Sequence, residues 1–270
     1  MRLDLRTSLS EALGIAPGNL ISIVGAGGKT SLMYGLGREL ARGGCPVLLT
    51  TTTKIMYPSP GALADVVLGE ETEATLAEIA RRLQDKGLVL AGRSQVEGKI
   101  VGFSPQFVES LRTCEPRPTV IAECDGARGK SLKVPRADEP PVARSTDVYV
   151  AVAGADCLGK PLTSDEVFEP EMVASVANVG VDAVVDRQVV VAAMLAPQSY
   201  LGKKPPEARF CVFINKVDVQ DLNQVGPDTN RSRTSLAFEV GLALKTCTEV
   251  DRVVYGSLEK NLWKGFLVLT

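Results

Sequence analysis

The sequence predicts an α/β fold, a doubly wound and mainly parallel sheet flanked by helices. Three observations predict it. The apolar run Leu20-Ile21-Ser22-Ile23-Val24 leads directly into Gly25-Ala26-Gly27-Gly28-Lys29-Thr30-Ser31. The next segment places Leu32, Met33, Leu36, Leu40 and Ala41 at helical spacing, until Gly43-Gly44 stops it. Pro46-Val47-Leu48-Leu49-Thr50 is then apolar throughout, as a parallel strand covered on both faces must be. Strand, glycine loop, helix and strand make a βαβ unit with a right-handed crossover.

The remaining elements follow in order. Ser8 to Leu13 reads as a short helix, with Ser8 and Glu11 at capping-box spacing. Strands are expected at Val66 to Leu68, Leu88 to Ala91, Thr119 to Glu123, Asp147 to Val152, Phe210 to Ile214 and Arg252 to Tyr255. Helices are expected at Glu73 to Leu83, Phe107 to Leu111, Val189 to Leu195 and Leu236 to Leu244. Gly92 to Gly102 reads as a polar connection, and Phe266 to Leu269 as an edge strand. No internal repeat divides the chain, so one domain over residues 1–270 is expected. In such a sheet ligands bind at the carboxyl ends of the strands.

Composition narrows the chemistry. The chain has 270 residues, 45% of them hydrophobic, and a net charge of −2. That balance gives no reason to expect nucleic acid or a membrane surface as partner. No apolar run reaches the roughly 18 to 20 residues that span a bilayer, and the N-terminus lacks a signal-peptide core, so a cytoplasmic location is expected. Histidine is absent, which removes the commonest general base and metal ligand. The six cysteines form no C-x-x-C pair and read as small buried apolar residues.

The loop Gly25, Ala26, Gly27, Gly28, Lys29, Thr30, Ser31 looks like a phosphate-binding P-loop. Its backbone amides and the following helix N-terminus would face phosphate oxygens. Lys29 would reach the β- and γ-phosphates, and the Thr30 hydroxyl would reach Mg²⁺. The spacing departs from the usual P-loop: Ile23 stands where the first glycine would be. The G-x-x-G-K-T form is that of SIMIBI-class NTPases or of Mur-type ligases, and Val24 stands where a SIMIBI signature lysine would be.

Three further segments sit at strand ends. Thr50 to Thr53 and Lys54 form a hydroxyl-rich, switch-like stretch, with Thr52 and Lys54 as nucleotide contacts. Glu123-Cys124-Asp125-Gly126 ends a core strand in two carboxylates, the candidates for catalysis and Mg²⁺ binding. The two are expected to diverge to opposite faces, leaving one for the metal, with Glu123 or Asp125 open. Asn215-Lys216-Val217-Asp218 has the form N-K-x-D after a strand, resembling the guanine-recognition motif of GTPases. One carboxylate at Asp218 could accept both the N1–H and the N2 amine of guanine, and adenine offers no such pair. The Lys216 stem could cover the base, Asn215 would tie this loop to the glycine loop, and Ser257 lies where a last base-contacting loop would be. Arg128, Lys130 and Lys133 add cations near the presumed γ-phosphate.

Together Val24 to Ser31, Thr51 to Lys54, Glu123 to Ala127 with Lys130, Lys133 and Pro135, Leu158 to Leu162, and Ile214 to Asp218 resemble the YqeC family. That family is named for accessory proteins of selenium-dependent hydroxylases and for selenium-cofactor biosynthesis. Cys124 departs from its usual alanine between the two carboxylates. The resemblance implies a part in maturing a selenium- or molybdenum-containing hydroxylase cofactor, with that hydroxylase or its insertion machinery as partner. The leading expectation is a Mg²⁺-dependent protein that binds and hydrolyses GTP. An ATP-dependent ligase or kinase, and a non-catalytic protein gated by nucleotide, stay open.

Overall fold

The computed structural model describes residues 3–6, 8–59, 65–217, 233–258 and 266–270. The strands are β1 (Leu3–Arg6), β2 (Leu20–Gly25), β3 (Val47–Thr51), β4 (Lys54–Met56), β5 (Val66–Leu68), β6 (Leu88–Gly92), β7 (Ser94–Val96), β8 (Lys99–Val101), β9 (Thr119–Glu123), β10 (Val148–Gly154), β11 (Arg209–Asn215), β12 (Arg252–Tyr255) and β13 (Phe266–Leu269). The α-helices are α1 (Leu9–Leu13), α2 (Lys29–Arg42), α3 (Glu73–Lys86), α4 (Pro105–Ser110), α5 (Pro170–Ala177), α6 (Arg187–Leu195) and α7 (Arg233–Lys245).

Ten strands form one sheet in the order β1-β13-β12-β11-β10-β2-β9-β3-β6-β5. From β12 to β5 every neighbouring pair is parallel; β13 runs antiparallel to both β12 and β1. The fold is therefore α/β with a doubly wound, mostly parallel sheet, as the apolar runs predict. Phe266–Leu269 is not an edge: β1 pairs along it from Leu3↔Leu269 to Arg6↔Phe266. A four-residue strand whose partner lies at the far end of the chain leaves no local signal.

Strand alternation sends side chains to two cores. Leu20, Val24, Leu48, Val120 and Ala122 join the core under α3 to α7. Ile21, Ile23, Val47, Leu49 and Ile121 join the other, with Leu32, Met33 and Leu36 of α2 and Leu9 and Leu13 of α1. Ser8 caps α1 as expected, its hydroxyl accepting from the Glu11 N–H at 3.3 Å. Among the described residues no helix is long and apolar enough to cross a membrane.

The stretch read as a polar connection carries structure of its own. β7 and β8 form a hairpin over Glu97-Gly98, both at positive φ (51° and 71°), as a two-residue primed turn requires. β4 joins them in a three-stranded antiparallel sheet, order β4-β8-β7. Ile55 and Ile100 are paired on its inner face and buried in the α2-side core. That anchors the small sheet at the carboxyl ends of β3 and β6.

Candidate functional site

β2 lies in the middle of the sheet, between β10 and β9, so its loop meets the ends of both neighbours. Gly25, Gly27 and Gly28 have φ of 97°, 81° and 129°, which side chains resist. A Cβ at Gly25 would strike the Val152 carbonyl oxygen, at Gly27 the Gly154 amide, and at Gly28 the Asn215 side chain. The N–H groups of Gly25, Ala26 and Gly27 are already held, by Asp125 Oδ2 (3.0 Å), Val152 O (2.9 Å) and Lys130 O (2.8 Å). What remains to receive an anion is the first turn of α2, whose amides have no intrahelical partner.

Lys29 is the first residue of that helix and is 5% exposed. Its Nζ donates to Gly25 O at 2.6 Å and stands 3.2 Å from Asp125 Oδ1 and 3.8 Å from Glu123 Oε1. The expectation that the two carboxylates face opposite sides is not met. They are two residues apart, which puts both on the Lys29 side. Their surroundings still differ. Glu123 borders the cavity and accepts from the Thr30 hydroxyl at 2.6 Å. Burial raises its pKa above the usual glutamate value; Lys29 and Thr30 oppose the rise, and Asp125 adds to it. Asp125 is fully buried behind the loop. Its Oδ2 accepts from Gly25 N and from Tyr200 OH at 2.9 Å and lies 3.4 Å from Lys133 Nζ. Lys133 also donates to Glu139 Oε2 (2.8 Å) and Gly126 O (2.9 Å).

The cavity in front of the loop measures about 630 Å³. One wall is Gly27, Gly28, Lys29, Thr30 and Ser31; a second is Lys54, Ile55, Met56 and Lys99 of the small sheet; Gly126 to Lys130, Glu123 and Lys216 complete it. Six cations thus face a single carboxylate. Gly25 and Ala26 are buried behind this wall. Thr52 is absent from it; its hydroxyl lies beside the Cys124 thiol. Thr51 instead meets the carboxylate strand, donating to Glu123 O at 2.7 Å. Cys124 is fully buried and its pKa is pushed up to about 12, chiefly by burial, so it is a protonated thiol without access to ligand.

Asn215 bridges three loops. Its amide donates to Gly27 O at 2.7 Å, and its oxygen accepts from Leu258 N at 3.1 Å. Lys216 has φ of 63° and donates to Asp156 Oδ2 (2.7 Å) and Ser131 Oγ (3.0 Å). Ser257 is buried at the end of β12 and does not border the cavity. Asp218 lies outside the described residues. Sequence reasoning missed Tyr200, Lys99 and Met56. Tyr200 is 75 positions from the carboxylate it holds. Lys99 could have been found from the Glu97-Gly98 turn, which marks a hairpin.

The family model described as YqeC protein matches residues 21–171, which include the glycine loop, Lys54, both carboxylates and Lys130. The chain belongs to the YqeC family. It is similar to the "Uncharacterized protein YqeC" of Escherichia coli (strain K12), 30% identical over 197 residues that cover 73% of this chain and 75% of that one. Asn215 to Asp218 lie beyond the segment that the YqeC model matches. No solved structure matches.

Proposed function

We propose that this YqeC chain binds a nucleoside triphosphate with Mg²⁺ at the glycine loop, that the nucleotide is GTP, and that its slow hydrolysis serves the maturation of a selenium- or molybdenum-containing hydroxylase cofactor. The observation that carries nucleotide binding is the triad of Lys29, Thr30 and Glu123 under the first turn of α2, with Thr30 Oγ1 2.6 Å from Glu123 Oε2. A lysine, a hydroxyl and a carboxylate converging on a helix N-terminus are the groups that phosphate and a hard cation need. Thr30 and Glu123 would hold the metal; a buried carboxylate with a raised pKa gains most from a nearby cation. Bound there, Mg²⁺ would offset charge on the phosphates. Asp125 lies behind the loop, its Oδ2 bonded to Gly25 N and Tyr200 OH and its Oδ1 3.2 Å from Lys29 Nζ, and would act through Lys29 and Gly25. The base is read from Asn215-Lys216-Val217-Asp218, and the tie from Asn215 to Gly27 joins that loop to the phosphate end. The cofactor destination rests on the resemblance of the glycine loop, the carboxylate segment and the Asn215 segment to the YqeC family, and on nothing in the site's geometry.

Titration with a fluorescent GTP analogue tests this. Lys29→Met should weaken binding by about tenfold or more, since a hydrogen bond to a charged group contributes about 1.5–3 kcal/mol. ATP should compete poorly. Unchanged affinity in Lys29→Met would overturn nucleotide binding at this loop. Competition by ATP equal to that by GTP would overturn the guanine assignment.

A further inference from the structure

Three of the cavity's six cations already have a hydrogen-bonding or ion-pair partner. Lys29 meets Asp125 and Glu123, Lys216 meets Asp156, and Lys130 donates to Asp165 O at 3.1 Å. The Lys54 and Lys99 side chains make no hydrogen bond or ion pair among the described residues, and Arg128 makes none there either; its guanidinium carbon lies 5.5 Å from the centre of the Phe168 ring and its charge helps lower the Glu169 pKa. In the small sheet Lys54 pairs with Val101, and Met56 with Lys99, while Ile55 and Ile100 point inward. Lys54, Met56 and Lys99 therefore share the outer face. Lys54 and Lys99 are diagonal neighbours there, roughly 7–8 Å apart, and like charges so placed repel. The buried isoleucines hold them in place regardless.

Sheet order says which end of the cavity they serve. The Asn215 loop follows β11, two strands from β2 on one side. The small sheet follows β3 and β6, on the other side of β2 beyond β9. A nucleotide with its base at Asn215 and its phosphates at α2 leaves the small-sheet end free, beyond the terminal phosphate, so Lys54, expected from the sequence to contact nucleotide, is assigned instead to what binds at that end.

We propose that Lys54 and Lys99, faced by Arg128, form a second anion subsite that holds a phosphate- or carboxylate-bearing small molecule while the nucleotide occupies the glycine loop. Met56, 64% exposed beside Lys99, gives that molecule an apolar surface for its uncharged body. The proposal rests on the nucleotide reading for its division of the cavity, and on the unpaired cations for the subsite itself.

Calorimetric titration of the protein saturated with Mg²⁺ and a non-hydrolysable GTP analogue tests it, with pyrophosphate and citrate as separate probes. One of the two should bind, and which one tells phosphate from carboxylate. Lys54→Gln/Lys99→Gln should weaken that probe about tenfold or more, as loss of charged hydrogen bonds predicts, and the nucleotide less than about threefold. Lys54→Arg/Lys99→Arg should restore the probe. No binding of either probe to the saturated protein overturns the subsite. Equal losses of probe and nucleotide overturn it too, because the lysines then serve the nucleotide's own phosphates. If no nucleotide binds at all, the proposed function fails separately. Pyrophosphate titration of Lys29→Met, with and without the double substitution, then decides the subsite: binding that the substitution removes supports it, and no such binding overturns it.

Discussion

Glu123 and Asp125 share a strand end and a lysine, yet they do different work. Asp125 takes two hydrogen bonds and lies beside two ammonium groups without reaching solvent. Removing it strands buried charge, so Asp125→Ala should lose roughly 3–5 kcal/mol of stability in urea unfolding. A loss below about 1 kcal/mol would show that the cluster does not hold the loop. Glu123 borders the cavity, and its raised pKa carries a sign. The folded state binds its proton more tightly than the unfolded chain does, so its contribution to stability falls as pH rises from the unfolded value to the raised one. Metal binding needs the ionised form and moves the other way. Mg²⁺-dependent nucleotide affinity should therefore rise with pH across a window above the ordinary glutamate range. In Glu123→Gln the affinity should be low and flat; a wild-type slope retained there would point to another group. The sequence left these two carboxylates undecided because Tyr200, which claims Asp125, reaches it from 75 positions away.

Elements were legible where one face or both were apolar over five residues or more. β2, β3, β6, β9, β10 and β11 all fall where the apolar runs placed them. α5 was overlooked although Pro170 at its start, Met172, Val173, Val176 and Ala177 at helical spacing, and Asn178 in the left-handed conformation after it are ordinary helix signals. β4, β7 and β8 have three residues each, interrupted by Lys54, Ser94, Gln95 and Lys99, whereas the equally short β5 is apolar throughout and was legible at Val66 to Leu68. Packing between elements was not legible either. Gly241 of α7 faces β12 so closely that an added Cβ would overlap the Tyr255 hydroxyl and lie 3.0 Å from its Cε1. Tyr255 is fully buried and has no room to turn away. Gly241→Ala should therefore cost roughly 1–3 kcal/mol despite alanine's better helix propensity. An unchanged urea midpoint would mean that α7 can shift off the sheet.

The sheet order turns these local pieces into a site. Because β2 is central and its neighbours are parallel, the loops after β2, β3, β9, β10 and β11 converge at one edge. Segments as far apart as Gly27 and Asn215 then meet through one hydrogen bond. A ligand there contacts the ends of several strands at once, so binding should stabilise the whole molecule against unfolding. At a hundredfold excess over its dissociation constant a ligand adds about 2.7 kcal/mol. For a chain of this size each kcal/mol raises the melting temperature by roughly 2–4 °C. Mg²⁺ with GTP should therefore raise Tm by about 5–10 °C and ATP at the same concentration by much less, while in Lys29→Met a tenfold loss of affinity cuts the GTP shift to about half or below. An equal shift in Lys29→Met would place the stabilising ligand somewhere other than the first turn of α2. A shift equal for ATP and GTP would leave the phosphate end of the site intact and remove the base from the Asn215 loop.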